Sequence, residues 1–391
     1  MEKQTKENGR QAAVIFWVLY LAYTSTYIVR LNLSVAKPAL EQLGKVDTAQ
    51  LALLGSVFSL VYAVGRLLNG TLGDWIRPGI MVCTGLLLAA AGNISMGLLP
   101  PWWALAVSWG VNAFGQSMLW GPILGMIPAI YEEQEAKRRA TIMGTSIAMG
   151  NVAGILAASF LVNEFGAVYA FLVPGVFALV LAAAVAVTAG QIRVAVAGKV
   201  SPVRQLLRKQ IQVMLLPAMI QGVMKDNVSL FMVDYFVKHF RVDPTTNPLY
   251  ILFIPVSGLA GRMLYPVLYR KLRNNEYAAA AIGFAFCALC ALPLGMNLCG
   301  ASVATLCLCG IYAFVSIINT SFLAIYPLRY ADEGTVSSVS GIMDFTTYLG
   351  HGISSAIYGA VILGLGYQAM YLSWAMLSAL GVALLWRKAR P

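Results

Sequence analysis

Four basic side chains stand inside apolar runs long enough to bury them in a bilayer: Arg30, Arg66, Lys225 and Arg262. A charge at the centre of a bilayer costs about 2.5–3.5 kcal/mol on insertion scales, so such a residue is expected to face a bundle interior or a water-filled cavity. Arg30 has only Lys37 and Glu41 as charged neighbours along the chain, both one or more turns further on and near the outer surface. Lys225 adjoins Asp226, but adjacent residues on a helix do not face each other and need not pair. The chemistry that Arg30 and Lys225 together offer is anion binding. A guanidinium supplies a bidentate fork and an ammonium a point charge, a combination suited to phosphate or carboxylate. The alternative is neutralisation by a buried acid, for which Asp226, Asp234 and Asp344 are the candidates. Arg66 suits either substrate contact or snorkelling to the bilayer surface, and Arg262 reads as structural.

Asp344, Tyr348 and His351 fall at i, i+4 and i+7 and share one helical face. An acid and an imidazole there could relay a proton; alternatively Asp344 pairs with Lys225 or Arg262 and His351 bonds to backbone or water. Gly70-Thr71-Leu72-Gly73-Asp74, followed by Arg77-Pro78, closes an apolar run. Glycines allow close helix approach, and an Asp at that place can cap the next helix or pair with a cation, which is gate chemistry. Glu132, Glu133, Glu135, Lys137, Arg138 and Arg139 read as a solvated loop whose basic end is expected to pair with Asp74. No enzyme constellation is present: there is no phosphate-cradling G-x-x-x-x-G-K-[ST] loop and no H-E-x-x-H. His239 and His351 are too few for a histidine metal site, and Cys287-x-x-Cys290 lies in a continuous apolar run without a His or acidic partner. The chain is therefore not expected to be an enzyme, and neither a cofactor nor a metal is expected.

The elements that must position these residues follow from composition. Of 391 residues, 59% are apolar and 11% charged, against roughly 45–50% and about 25% in soluble domains. That excludes a cytosolic enzyme, a disordered chain and a secreted disulfide scaffold. A membrane span needs about 20 apolar residues, and continuous apolar stretches run near 12–37, 49–72, 79–99, 101–131, 140–163, 167–190, 211–237, 247–269, 277–297, 300–328, 335–363 and 367–386. The expected fold is an all-α membrane protein with twelve transmembrane helices. Met1–Arg10 is polar and basic, and the run after it is too long for a signal-peptide core, so it reads as the first span.

The net charge of +11 does not mark a nucleic-acid partner. With both termini inside, the outer loops carry only Lys37, Lys45, Lys238 and Arg241, and the other basic residues outside the spans lie on the inner side. The positive-inside rule then predicts a multi-pass protein of the plasma (inner) membrane with both termini cytoplasmic. The stretch 191–210 is weakly apolar and basic. It divides the chain into bundles at 1–190 and 211–391, six spans each.

The halves repeat. Gly65-Arg66-Leu67-Leu68 recurs as Gly261-Arg262-Met263-Leu264 at an offset of 196, Ala129-Ile130-Tyr131 recurs as Ala324-Ile325-Tyr326 at 195, and Arg30 corresponds to Lys225 at 195. Three matches at nearly one offset indicate duplication about an axis along the membrane normal, the architecture of major facilitator transporters. In that arrangement the two cations face each other across the pseudo-twofold axis.

Tyr27-Ile28-Val29-Arg30-Leu31-Asn32-Leu33-Ser34-Val35-Ala36-Lys37-Pro38 resembles the first-span signature Y-x-x-R-x-N-x-x-x-A-x-P of the organophosphate:phosphate antiporters. Asn112-Ala113-Phe114-Gly115-Gln116-Ser117-Met118-Leu119-Trp120-Gly121-Pro122 is similar to their span-four stretch, and Gly70 to Pro78 resembles their version of the major facilitator G-x-x-x-D loop. The resemblance implies substrate-binding roles for Arg30, Lys225 and Arg66, with Tyr27, Asn112 and Gln116 beside them, and a gate built from Gly70, Asp74, Arg77 and Arg138. Lys225 stands where the family usually has Arg, and Gly150 stands where its span-five His precedes Asn-Val-Gly.

The resemblance implies a secondary transporter of a small organic anion, a phosphate ester exchanged for phosphate, working as a monomer in the lipid bilayer. Two other readings use the same residues. One is a proton-coupled symporter of organic (sugar) acids, with Asp344 and His351, flanked by Tyr348 and Asp226, as coupling or pairing groups. The other is a membrane receptor for a phosphorylated ligand that does not transport it.

Overall fold

The computed structural model describes the backbone at residues 2–44, 46, 48–194, 205–206, 208–242 and 249–389. Positions 195–204 of the 191–210 stretch, with Lys199 and Arg204, lie outside the described residues, as do Lys45 and Arg390. The described residues form helices and turns, with no strand among them.

In chain order the helices are α1 Glu2–Gln42, α2 Thr48–Leu72, α3 Pro78–Gly97, α4 Trp102–Ser117, α5 Trp120–Ile130, α6 Glu133–Phe165, α7 Tyr169–Ala189, α8 Lys209–Lys225, α9 Asn227–Phe240, α10 Leu249–Lys271, α11 Glu276–Gly295, α12 Ala301–Asn319 and α13 Val336–Ala389. Among the described residues nine helical segments are long and apolar enough to cross a membrane. One of these, within α13, holds two passes, because Gly366 breaks it at φ 79°, ψ 175°, a backbone conformation suited to glycine. The seventh pass is α8 and α9, which part at Asp226 (φ −97°, ψ −23°), and the eighth is α10. The fold is thus all-α with the twelve expected passes. Side chains such as Val187 and Leu363 are 84% and 90% exposed, as residues facing lipid would be.

Local chemistry explains several boundaries. Pro78 opens α3 at the first helical position, where its missing N–H costs nothing. Asn275 caps α11, its Oδ1 accepting from the N–H of Tyr277 at 2.9 Å and of Ala278 at 3.1 Å. After α12 the chain tightens through a π turn at Thr320–Ile325 and a 3₁₀ turn at Tyr326–Tyr330. The charged run at 132–139 is not a loop. It forms the first turns of α6, where Glu133 takes Lys137 at 2.6 Å and Glu135 takes Arg139 at 2.7 Å, both at i, i+4.

The chain forms two compact units: Met1–Pro202 with Pro327–Ile342, and Val203–Tyr326 with Met343–Pro391. In the first, α1 packs on α6 and α7, α3 on α4 and α7, and α2 on α4; in the second, α12 packs on α10 and α11. The approach of α1 to α6 is close at Gly150, where an added Cβ would meet Thr24 O at 2.7 Å and Tyr27 Cβ at 2.8 Å. The start of α13 belongs to the first unit and passes into the second at Ile342–Met343. Its seat is also built from glycine: a Cβ on Gly70 would lie 2.8 Å from Gly341 Cα.

Candidate functional site

In the first unit the cations gather around an aromatic pair. Phe58, Tyr62 and Arg66 follow one another at i, i+4 and i+8 on α2, and all three are buried. The rings of Phe58 and Tyr62 stack with centroids 5.8 Å apart and planes 13° apart. The Arg30 guanidinium lies 4.6 Å from the Phe58 centroid and 5.3 Å from that of Tyr62. Arg66 reaches the same Tyr62 ring at 5.6 Å. Attraction of a cation to a ring is worth about 2 kcal/mol or more when both are desolvated, which helps hold charge in an apolar setting. Two guanidiniums at one ring form a place where an oxyanion could accept several charged hydrogen bonds. Arg66 therefore belongs with Arg30 rather than with the bilayer surface. Phe58 and Tyr62 were not expected from the sequence; the signal available was their spacing back from Arg66 along one helical face.

Behind Arg30 lies a chain of buried amides. Asn93 Nδ2 and Asn112 Nδ2 both donate to the carbonyl of Val29, at 3.1 and 3.0 Å. Asn32 Nδ2 donates to Asn93 Oδ1 at 2.7 Å and to Ala170 O at 2.9 Å, while Asn32 Oδ1 accepts from the N–H of Leu33 at 2.8 Å. Gln116 Nε2 donates to Asn112 Oδ1 at 2.9 Å. Asn112 and Gln116, expected beside the substrate, thus hold one another and the α1 backbone. Tyr27 is half-buried, with its ring edge-on to Tyr23 at 6.1 Å.

In the second unit Lys225 Nζ lies 5.2 Å from the Tyr348 centroid. Asp226 sits at the junction of α8 and α9. Asp234, a candidate to neutralise Lys225, instead pairs with Lys238 at 2.8 Å, one turn along α9 and well exposed. Asp344 is buried. His351 Nδ1 meets Ser355 Oγ at 3.2 Å, and Ser355 Oγ donates to Asn227 Oδ1 at 2.8 Å. Asn227 Nδ2 donates to Val223 O and to Ser354 Oγ, both at 2.7 Å. Arg262 is buried in α10.

The repeat is longer than the sequence comparison indicated. Asn32 and Asn227 lie two residues after Arg30 and Lys225, again 195 apart, and each is 0% exposed.

Asp74 does cap a helix, but it is α13 and not the following α3. Its Oδ1 accepts from Ser337 N and its Oδ2 from Ser338 N, each at 3.0 Å, and Ser338 Oγ donates to Oδ2 as well. Burial pushes its carboxyl up to about 7, against the lowering effect of the Ser338 and Ser337 hydrogen bonds. The expected pairing of Asp74 with the basic run is not formed. Arg138 bonds to Glu135 at 3.3 Å, because the helical start of α6 places its acids one turn from its bases. Arg77 and Arg193, both exposed, line a cavity of about 250 Å³ with Asp74, Val336 and Ser337.

The sequence profile of the Major Facilitator Superfamily matches residues 19–355. The chain belongs to this superfamily. It is a multi-pass membrane protein of the major facilitator type. Among its relatives, the probable hexose phosphate transport protein of Chlamydia muridarum is 24% identical over 167 residues, 43% of this chain and 37% of that protein. The phosphoglycerate transporter protein of Salmonella typhimurium is 26% identical over 185 residues, 46% of this chain and 40% of that protein. The matches thus span less than half of these relatives. The crystal structure of FucP, a major facilitator transporter in its outward conformation, superimposes with a TM-score of 0.77 at 15% identity, covering 97% of this chain and 100% of that one, which shows the shared fold.

Proposed function

We propose that this chain is a secondary transporter of a small organic anion, exchanging a phosphate ester for inorganic phosphate, with Arg30, Arg66 and Lys225 as its binding cations. The observation that carries the reading is the convergence of Arg30 and Arg66 on the Tyr62 ring. Three cations, Arg66 buried and Arg30 and Lys225 half-buried, favour an oxyanion of high charge, and the two guanidiniums suit the several acceptor oxygens of a phosphate group. The names of relatives that match parts of the chain support the same substrate class. Lys225, held over Tyr348, supplies the point charge of the second half. The basic excess on one set of loops supports an orientation in which both termini face the cytoplasm, for a protein of the plasma membrane.

Proteoliposomes loaded with phosphate should take up labelled phosphate, and empty ones should not. Phosphate esters should compete, and Arg30→Ala should abolish the exchange. Absence of exchange and of competition would refute the antiport; uptake that instead requires an inward proton gradient would make the chain a symporter. Ligand-dependent signalling without flux would make it a receptor.

A further inference from the structure

The asparagines that accompany the two cations explain more than helix packing. Asn32 and Asn227 occupy the same register, two residues past Arg30 and Lys225, and both are fully buried. In each unit a backbone carbonyl in the cation's own turn is taken by an asparagine side chain. In the first, the carbonyl of Val29 accepts from Asn93 and Asn112, which fill its two lone pairs, while Leu33 N–H, one turn on, donates to Asn32 Oδ1. In the second, α8 ends at Lys225 and α9 begins at Asn227, and the side chain of Asn227 donates to the carbonyl of Val223 across that junction. Each joint is tied to neighbouring passes: Asn32 to Asn93 on α3 and to Ala170 O on α7, Asn227 to Ser354 and Ser355 on α13.

A buried Asn between membrane helices often serves only as a contact. Here two features go beyond that: in both halves an asparagine bonds to a carbonyl of the turn that carries the cation, just before Arg30 at Val29 and just before Lys225 at Val223, and the buried Asn32 and Asn227 stand at equivalent positions of the repeat. We infer that Asn32, Asn93 and Asn227 are positioning residues, which pin the helix backbone so that Arg30 and Lys225 present their charges to the anion in a fixed geometry. The inference rests on the proposed anion-binding role of those cations. Arg30 follows Val29 directly, so a turn released from Asn93 would let its guanidinium drift from the Phe58 and Tyr62 rings that receive it.

The test measures the dissociation constant for inorganic phosphate by calorimetry on purified full-length protein, with the thermal midpoint recorded separately. Asn93→Leu and Asn227→Leu should each weaken phosphate binding by about tenfold or more, since small misplacements of a binding group have large effects. The double variant Asn32→Leu/Asn93→Leu removes both partners of one bond, which a fold tolerates better than a single orphaned amide, and it should show the same weakening. A merely structural role would lower the thermal midpoint and leave the dissociation constant of the folded protein unchanged. If the asparagine variants bind phosphate as the wild type does while Arg30→Ala and Lys225→Ala lose it, the positioning role is wrong and the anion reading stands. If Arg30→Ala and Lys225→Ala also bind normally, the anion reading fails and the positioning role falls with it.

Discussion

Asp74 shows how one residue combines opposing terms. Three donors at the start of α13 favour its charged form, yet burial outweighs them and raises its carboxyl to about 7. In the unfolded chain the same group ionises near 3.8. Between those values the folded protein holds the extra proton, so the contribution of Asp74 to stability is largest in acid, declines as pH rises, and is fully lost above about pH 7. Asp74→Asn should remove that slope. Unfolding midpoints of the two proteins in detergent, compared from about pH 4 to 8, should converge or cross as the wild type loses its advantage; parallel curves would show that Asp74 does not titrate in this window. The residues that sequence reasoning found and missed divide on the same physical ground. Arg30, Arg66 and Lys225 were legible because a charge in an apolar run is costly and rare. Tyr62, Asn32, Asn93 and Asn227 were not, because an aromatic or an amide in such a run is ordinary until its partner is known, and the partner lies on another helix.

At the scale of elements, helix identity followed from hydropathy, while helix ends and breaks followed from contacts. The run at 132–139 reads as a loop on charge alone, although Glu133 with Lys137 and Glu135 with Arg139 have the i, i+4 spacing of a helical face. The break at Asp226 left no hydropathy signal, because both sides of it remain apolar. Gly150 is clearer in the structure than in the sequence. The backbone of α1 occupies the space that a side chain at this position would need, with Thr24 O 2.7 Å from an added Cβ. Backbone atoms of a packed helix cannot yield as a flexible side chain can. Gly150→His is therefore expected to separate α1 from α6 and destabilise the protein by about 1–3 kcal/mol, the usual penalty of overpacking, read as a lower thermal midpoint with helical content retained before unfolding. A midpoint equal to that of the wild type would show that α1 and α6 are not in such close approach.

For the whole molecule, the repeat at 195 was legible and the compact units were only partly so. Residues 327–342 are late in the chain yet join the first unit, because Asp74 and the small surface at Gly70 and Gly341 hold the start of α13 there. No local pattern announces a contact between residues that lie 263 positions apart in the sequence. The distribution of charge, by contrast, is a property of the whole chain and leads to a direct test of its orientation. Arg138 opens α6 at one end of the fifth pass, and Lys238 closes α9 at one end of the seventh, and both are exposed. Basic residues are retained on the cytoplasmic side during insertion, and the basic excess includes the turns around Arg138, whereas Lys238 ends a helix that leads into one of the few sparsely basic connections. In a background with the six native cysteines replaced, Lys238→Cys should react with a membrane-impermeant maleimide on intact cells, and Arg138→Cys only after permeabilisation. The opposite pattern would invert the protein in the membrane, and labelling of both from outside would break the twelve-pass topology, since the odd number of passes between the two sites, the fifth, sixth and seventh, must leave them on opposite sides.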